Sequence, residues 1–99
     1  MSLTEPKRAN KMDILAEMNK IAYNRYREKS FGRFRCFVSA SGVPFNIFAF
    51  PGENAICVEY AENESDAALG RFEDGDRFYL EDFRSLEELS NAVFAEVDS

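Results

Sequence analysis

Two pairs of closely spaced carboxylates are the first places where this sequence could support acid–base chemistry or hold a metal ion. They are Asp74 with Asp76, and Glu81 with Asp82. The first pair flanks Gly75, which is typical of a turn, and the second falls where a strand ends before a helix. An EF-hand loop also needs a Gly and a distal Glu at fixed later positions, and neither pair has them. We therefore predict no catalytic carboxylates and no metal site.

Nucleophilic catalysis is the second possibility, through Cys36 or Cys57. The chain contains no His, and His is the usual partner of a Cys or Ser nucleophile and the commonest zinc ligand. The five Gly residues are scattered over turns and do not form a phosphate-binding or dinucleotide-binding loop. We therefore predict that the protein is not an enzyme and uses no cofactor.

The same residues also indicate a cellular compartment. Residues 1–11 are polar and lack the apolar stretch of a secretory signal, and two cysteines are too few for a disulfide scaffold. No apolar run approaches the roughly 18 residues that cross a bilayer. We expect a cytoplasmic protein with reduced thiols and no membrane partner.

Charge is divided unevenly along the chain. Residues 1–50 carry nine Lys/Arg against four Asp/Glu, a net charge of +5, whereas residues 51–99 carry three against fourteen, a net charge of −11. Such asymmetry indicates either mutual neutralisation in the fold or two distinct surfaces. If the acidic half is a binding surface, its carboxylates are Glu62, Glu64, Asp66, Glu73, Asp74 and Asp76.

A rigid acidic surface can bind a basic protein or compete with nucleic-acid phosphates for one. We therefore expect a small non-enzymatic protein-binding module that acts through its acidic C-terminal half on a basic protein surface. Inhibitors, immunity proteins and nucleic-acid mimics are the functional types that fit these traits.

Basic and aromatic residues alternate between Tyr23 and Phe37, and they support an alternative hypothesis. Aromatic rings can stack on bases while Lys and Arg contact phosphates, so this stretch could belong to a nucleic-acid-binding domain. The residues that would form that site are Lys20, Arg25, Arg27, Arg33 and Arg35. The structural interpretation, which we favour, places Tyr26, Phe31 and Phe34 in the core and leaves the basic side chains solvated.

The first element that must position these residues is a helix. Residues 1–9 are predicted to be a flexible lead-in to a single domain over residues 10–99. Asn10 is a good N-cap, and Gly32 is a stop signal, so the helix is predicted over about 10–29. Its apolar face is formed by Leu15, Met18, Ala22 and Tyr26, which recur at helical spacing.

After Gly32 the hydrophobic period changes to two, which indicates strands. Runs over 34–38, 45–50 and 55–60 are joined by short turns and predict an antiparallel meander, with 45–50 central because it is apolar on both faces. Residues 61–68 are predicted to be an acidic turn. A hairpin of 71–73 and 76–80 is predicted around Asp74-Gly75, a favoured type I′ turn pair.

The last element is a helix that begins with a capping box. The Ser85 hydroxyl can accept the Glu88 backbone N–H, and the Glu88 side chain can reach back. Leu86, Leu89 and Val93 then follow at helical spacing. The predicted fold class is α+β, with an antiparallel meander of about five strands covered on one face by an N-terminal and a C-terminal helix.

Overall fold

The computed structural model describes residues 10–99 of the chain, so the predicted lead-in 1–9 lies outside the described residues. Helix α1 (Lys11–Arg25) has Asn10 as its N-cap, whose side chain accepts a hydrogen bond from the Asp13 backbone N–H at 2.9 Å. Asp13 lies in the first turn, where the helix dipole favours a negative charge. The predicted start of this helix is confirmed.

Five antiparallel strands form a single sheet whose spatial order is the same as the chain order. The third strand is therefore central, as its apolar residues on both faces predict. The strands are β1 (Arg27–Phe31), β2 (Phe34–Val38), β3 (Pro44–Ala49), β4 (Ala55–Tyr60) and β5 (Glu73–Tyr79).

Helices α1 and α3 (Leu86–Val97) pack against one face of this sheet and form the main core. Burying a side chain of this kind contributes roughly 1.5–3 kcal/mol, so this face supplies most of the stabilising burial. The predicted α+β meander with two helices on one face is confirmed. The buried side chains of this core include Ile14, Met18, Ala22, Phe37, Phe45, Ile47, Ile56, Val58, Leu89, Val93, Phe94 and Val97.

A short helix, α2 (Glu64–Ala68), covers part of the opposite face, so the prediction of a turn over 61–68 is wrong. A five-residue helix is too short to show a hydrophobic period. Its N-cap is Asn63, whose side chain accepts the Asp66 backbone N–H at 2.8 Å. The residues buried under α2 form a second cluster of Phe31, Cys36, Ala61 and Ala67.

The first predicted helix extends too far along the chain. α1 ends at Arg25, and the residues predicted as its last turn form edge strand β1, paired with β2 from Arg27 opposite Val38 to Phe31 opposite Phe34. Tyr26 continues the helical spacing and no breaker precedes Gly32, so local sequence favours a helix here. β1 instead depends on cross-strand contacts with β2, which local sequence does not reveal.

The predicted hairpin over 71–80 is also wrong, because Glu73–Tyr79 is one strand. Gly75 lies within it, at a bulge where the register with β4 shifts between Cys57 and Glu59. A Cβ atom on Gly75 would lie 2.7 Å from Cε2 of Tyr60. The glycine is therefore needed for close approach of that ring and not for a turn. The expected number of strands is correct only because β1 replaces the lost hairpin strand.

One of the two hydrogen bonds of the predicted capping box is present at the N-terminus of α3. The Ser85 hydroxyl accepts the Glu88 backbone N–H at 3.1 Å, which makes Ser85 the N-cap. The Glu88 side chain does not return the bond to the Ser85 backbone. Glu87 and Glu88 lie in the first turn, where the helix dipole stabilises them.

Cys36 on β2 and Cys57 on β4 are both buried and unbonded, with β3 between them. Burial raises the pKa of Cys57 to about 11 and also raises the pKa of Cys36, so both stay neutral thiols. Cys36 packs beside Phe31 as a small core residue. Phe34 was predicted to be buried, but it is 43% exposed.

Candidate functional site

Four of the six predicted partner-binding carboxylates lie together where β4 ends and β5 begins. The chain leaves β4 at Tyr60, passes through α2, and returns to β5 at Glu73, which is the cross-strand partner of Tyr60. The loop and helix between the two strands therefore bring their carboxylates to one edge of the sheet. We call these four residues the acidic surface: Glu62, Asp66, Glu73 and Asp74.

The acidic surface surrounds two adjoining pockets that share Glu62 and Glu73 as lining residues. The first pocket has a volume of about 440 Å³ and is also lined by Asp66, Arg71 and Phe72. The second has a volume of about 480 Å³ and is also lined by Val43, Tyr60, Ala61 and Asp74. Carboxylates therefore lie beside apolar walls, an arrangement that suits the aliphatic stem and charged end of Lys or Arg.

Local structure fixes the position of this surface. The Asn63 cap starts α2, and the Arg71 backbone N–H donates to the Asp66 carbonyl at 2.8 Å as the chain turns back. Gly70 makes that return possible, since its φ is +72° and a Cβ atom there would lie 2.6 Å from the Phe34 ring. A larger residue at position 70 would both strain the backbone and collide with Phe34.

The other two predicted carboxylates lie outside the acidic surface. Glu64 faces β1, where its carboxylate accepts a hydrogen bond from Lys29 Nζ at 3.0 Å. Asp76 is next to the β5 bulge, and its backbone N–H donates to Glu96 of α3 at 3.1 Å. The fold therefore brings together four of the six predicted residues.

A half-buried carboxylate that the predicted site did not include lies behind the acidic surface. Glu59 lies on β4 directly opposite Asp74 of β5 and next to Asn46 of β3. Burial and the Asp74 charge raise the pKa of Glu59, while a side-chain hydrogen bond with Asn46 opposes that shift. The alternation of β4 places Glu59 on the face of Cys57, but its pairing with Asp74 depends on the bulged register.

Glu96 was the second carboxylate missed, and it joins three elements. Its carboxylate accepts the Tyr60 hydroxyl at 3.0 Å and the Asp76 backbone N–H at 3.1 Å. Burial raises the pKa of Glu96, and the two hydrogen bonds oppose that shift. The group links α3 to β4 and to the bulge of β5, and it therefore holds the sheet edge in place. The hydrophobic spacing of α3 shows that Glu96 is next to the buried Val97, but it does not reveal the contacts of Glu96 with Tyr60 and Asp76.

The residues proposed for nucleic-acid binding are separated by the fold. Lys20 pairs with Glu17 at 3.1 Å, and Arg35 pairs with Glu28 at 3.8 Å across β1 and β2. Arg33 is exposed in the turn between β1 and β2. No single groove of the described chain collects the five basic side chains. Arg25 and Arg27 line a common pocket.

The described residues show neither a metal-ligand cluster nor a membrane-spanning helix. Within residues 10–99 no three Cys, Asp or Glu side chains are grouped as metal ligands. None of the helices in that range has both the length and the apolar character that a bilayer crossing needs. Comparison of the chain with protein-family models, curated proteins and solved structures gives no significant match.

Proposed function

We propose that this chain is a non-enzymatic protein-binding module that docks its acidic surface onto a basic protein surface. The main support for this proposal is that the four carboxylates of the acidic surface converge on two adjoining pockets that also have apolar walls. Inhibitors, immunity proteins and nucleic-acid mimics act through surfaces of this kind, and the cytoplasm is the expected compartment.

The pairing state of the carboxylates supports this proposal. Within residues 10–99 none of the four forms an ion pair, although Arg71 lines the same pocket as three of them. Their charge is therefore available to steer a basic partner and to exclude an acidic one. Aliphatic stems of the partner's Lys or Arg would gain contact with the apolar walls, such as Val43 and Phe72.

The basic residues offer less support for the nucleic-acid alternative. Lys20, Arg25 and Arg35 are each engaged with a carboxylate of the same chain. These ion pairs neutralise part of the basic charge, and the net charge of −6 would oppose the approach of a nucleic-acid backbone. Nucleic-acid binding is therefore the less favoured function, and the capture experiment below measures it beside protein binding.

Two matched charge reversals test the proposal. Glu73 and Asp74 begin β5, and Glu81 and Asp82 follow its other end. The strand has seven residues, so the two acidic pairs are separated by roughly 20 Å. All four side chains are exposed, and each double change to Lys alters the net charge by the same amount. Neither change should unfold the domain, since exposed charges contribute little to stability.

The tagged wild type and both variants are used to capture proteins and nucleic acids from a lysate of the native cells. We expect a protein that is retained by wild type and by Glu81→Lys/Asp82→Lys but is lost with Glu73→Lys/Asp74→Lys. Equal loss with both variants would mean that only net charge matters and would contradict the proposed site. Retention of nucleic acid with no protein that depends on Glu73 and Asp74 would contradict the proposed function.

A further inference from the structure

A pocket distant in sequence from the acidic surface contains two arginines. It has a volume of about 370 Å³ and lies between the α1–β1 junction, the end of β2, and the residue after α3. Arg25, Arg27, Ser39 and Asp98 are among the residues that line it. Three separate parts of the chain therefore build its walls.

Arg25 is oriented in this pocket by three contacts, and its side chain is 48% exposed. Its guanidinium lies 5.3 Å from the Phe94 ring centroid and 5.7 Å from that of Tyr26, and Nη2 donates to Asp98 Oδ2 at 2.9 Å. A guanidinium has five N–H donors in a planar fork. Asp98 is the only acceptor within residues 10–99 that hydrogen-bonds to Arg25, so further donors remain for a ligand.

The one carboxylate of residues 10–99 that lines the pocket, Asp98, accepts a hydrogen bond at each oxygen. Asp98 Oδ2 accepts from Arg25, and Oδ1 accepts the Tyr26 hydroxyl at 2.8 Å. Burial, together with the hydrogen bond to Asp98, raises the pKa of Tyr26 to about 12, so its hydroxyl remains a donor at neutral pH. Asp98 therefore balances the charge of Arg25 but not that of a second arginine.

Arg27 supplies that second charge. It is exposed on edge strand β1, and no carboxylate of residues 10–99 forms an ion pair with it. Ser39 follows Val38, the cross-strand partner of Arg27; it is buried, and its hydroxyl accepts the Val43 backbone N–H at 3.1 Å. The pocket thus combines a guanidinium oriented by Asp98, a second guanidinium with no ion pair within residues 10–99, and a hydrogen-bonded wall.

We propose that this pocket binds a phosphate group through Arg25 and Arg27. Guanidinium donors match the several acceptor oxygens of a phosphate and bind it in charge-assisted hydrogen bonds. The proposal is independent of the acidic surface, which lies at β4, α2 and β5.

The test is a titration of the whole chain with inorganic phosphate at constant ionic strength, in which binding is measured from the amide chemical shifts. We expect saturable shifts in residues 25–27 and 38–40. Arg27→Gln should weaken binding at least about tenfold, as expected for loss of a charge-assisted hydrogen bond. Arg33→Gln, which removes the same charge from an exposed turn outside the pocket, should leave the affinity unchanged.

Three results would overturn the proposal. The first is the absence of saturable shifts at the pocket, and the second is equal weakening by Arg33→Gln, which would indicate diffuse attraction. The third is acetate binding as tightly as phosphate, since the pocket would then not distinguish phosphate from a carboxylate. Because both arginine changes are at exposed positions, a melting curve for each variant should match that of the wild type.

Discussion

The acidic surface and the basic residues of α1, β1 and β2 differ in how their charges are used. The four carboxylates of the acidic surface form no ion pair within residues 10–99, whereas Lys20, Arg25, Lys29 and Arg35 each have a carboxylate partner. Two of these pairs, Arg25–Asp98 and Lys29–Glu64, join the basic half of the chain to the acidic half. The uneven charge of the sequence therefore has both of its expected explanations. Part of it is neutralised by ion pairs between the two halves, and part of it forms a separate acidic surface.

This difference has a physical consequence for partners. Paired surface charges contribute little to long-range attraction, since the fields of the two members largely cancel beyond a Debye length of about 8–10 Å. Unpaired carboxylates on a rigid edge keep their field and can steer association. The basic half retains such freedom mainly at Arg27 and Arg33, where the described structure shows no carboxylate partner.

The largest expected effect comes from breaking the turn that positions the acidic surface. Gly70→Ala should cost about 1–2 kcal/mol for the left-handed backbone and a further roughly 0.5–1.5 kcal/mol for displacing the exposed Phe34 ring from its rotamer. Gly42→Ala is the matched control, since its φ is +89° but nothing lies within 4 Å of the added Cβ atom. Urea denaturation of both variants measures the difference, and equal losses would show that the Phe34 contact is unimportant.

A smaller effect is expected from removing a helix cap in each region. Asn63→Ala and Ser85→Ala should each lower the free energy of unfolding by roughly 0.5–2 kcal/mol, because each side chain accepts a backbone N–H of the first turn. Only Asn63→Ala should also weaken partner binding, since that cap fixes Asp66. Weakening of partner binding by Ser85→Ala to the same extent would indicate that binding depends on global stability.

The smallest effect expected is a change in pH dependence at Glu59. Its pKa is raised in the folded state, mainly by burial, so this group contributes stability that is fully present below its ordinary value and is lost as pH rises through the raised pKa. Glu59→Gln should therefore flatten the decline in stability that begins as pH rises above the ordinary Glu pKa of 4.5, while keeping an acceptor for Asn46. Denaturation at several pH values measures this, and an unchanged decline would contradict the assignment.

Much of the fold follows from local sequence, and the errors have a common cause. The caps at Asn10 and Ser85 and the period-two runs of β2, β3 and β4 are local signals, and each was predicted correctly. β1 and the bulge at Gly75 depend on partners far along the chain, namely β2 and the Tyr60 ring. Propensity favoured a helix and a turn at these two places, and tertiary contacts prevailed.

The acidic character of the site was predictable from the sequence, but the identity of the carboxylates that converge was not. The acidic half was identifiable from charge alone, but its division into four convergent carboxylates and two others required the register of β4 with β5 and the direction of α2. Glu64 and Asp66 illustrate the limit, since they are two residues apart, yet Glu64 pairs with Lys29 and Asp66 lines a pocket with Glu62.

The most direct test of the central claim is the salt dependence of association with the captured and purified partner. The account predicts that the association rate of the wild type falls steeply as salt rises, while the dissociation rate changes little. Glu73→Lys/Asp74→Lys should associate slowly at every salt concentration, and Arg25→Glu/Arg27→Glu should associate as fast as the wild type or faster. A wild-type association rate that does not depend on salt, or the opposite ranking of the two variants, would contradict the claim that the acidic surface is the binding site.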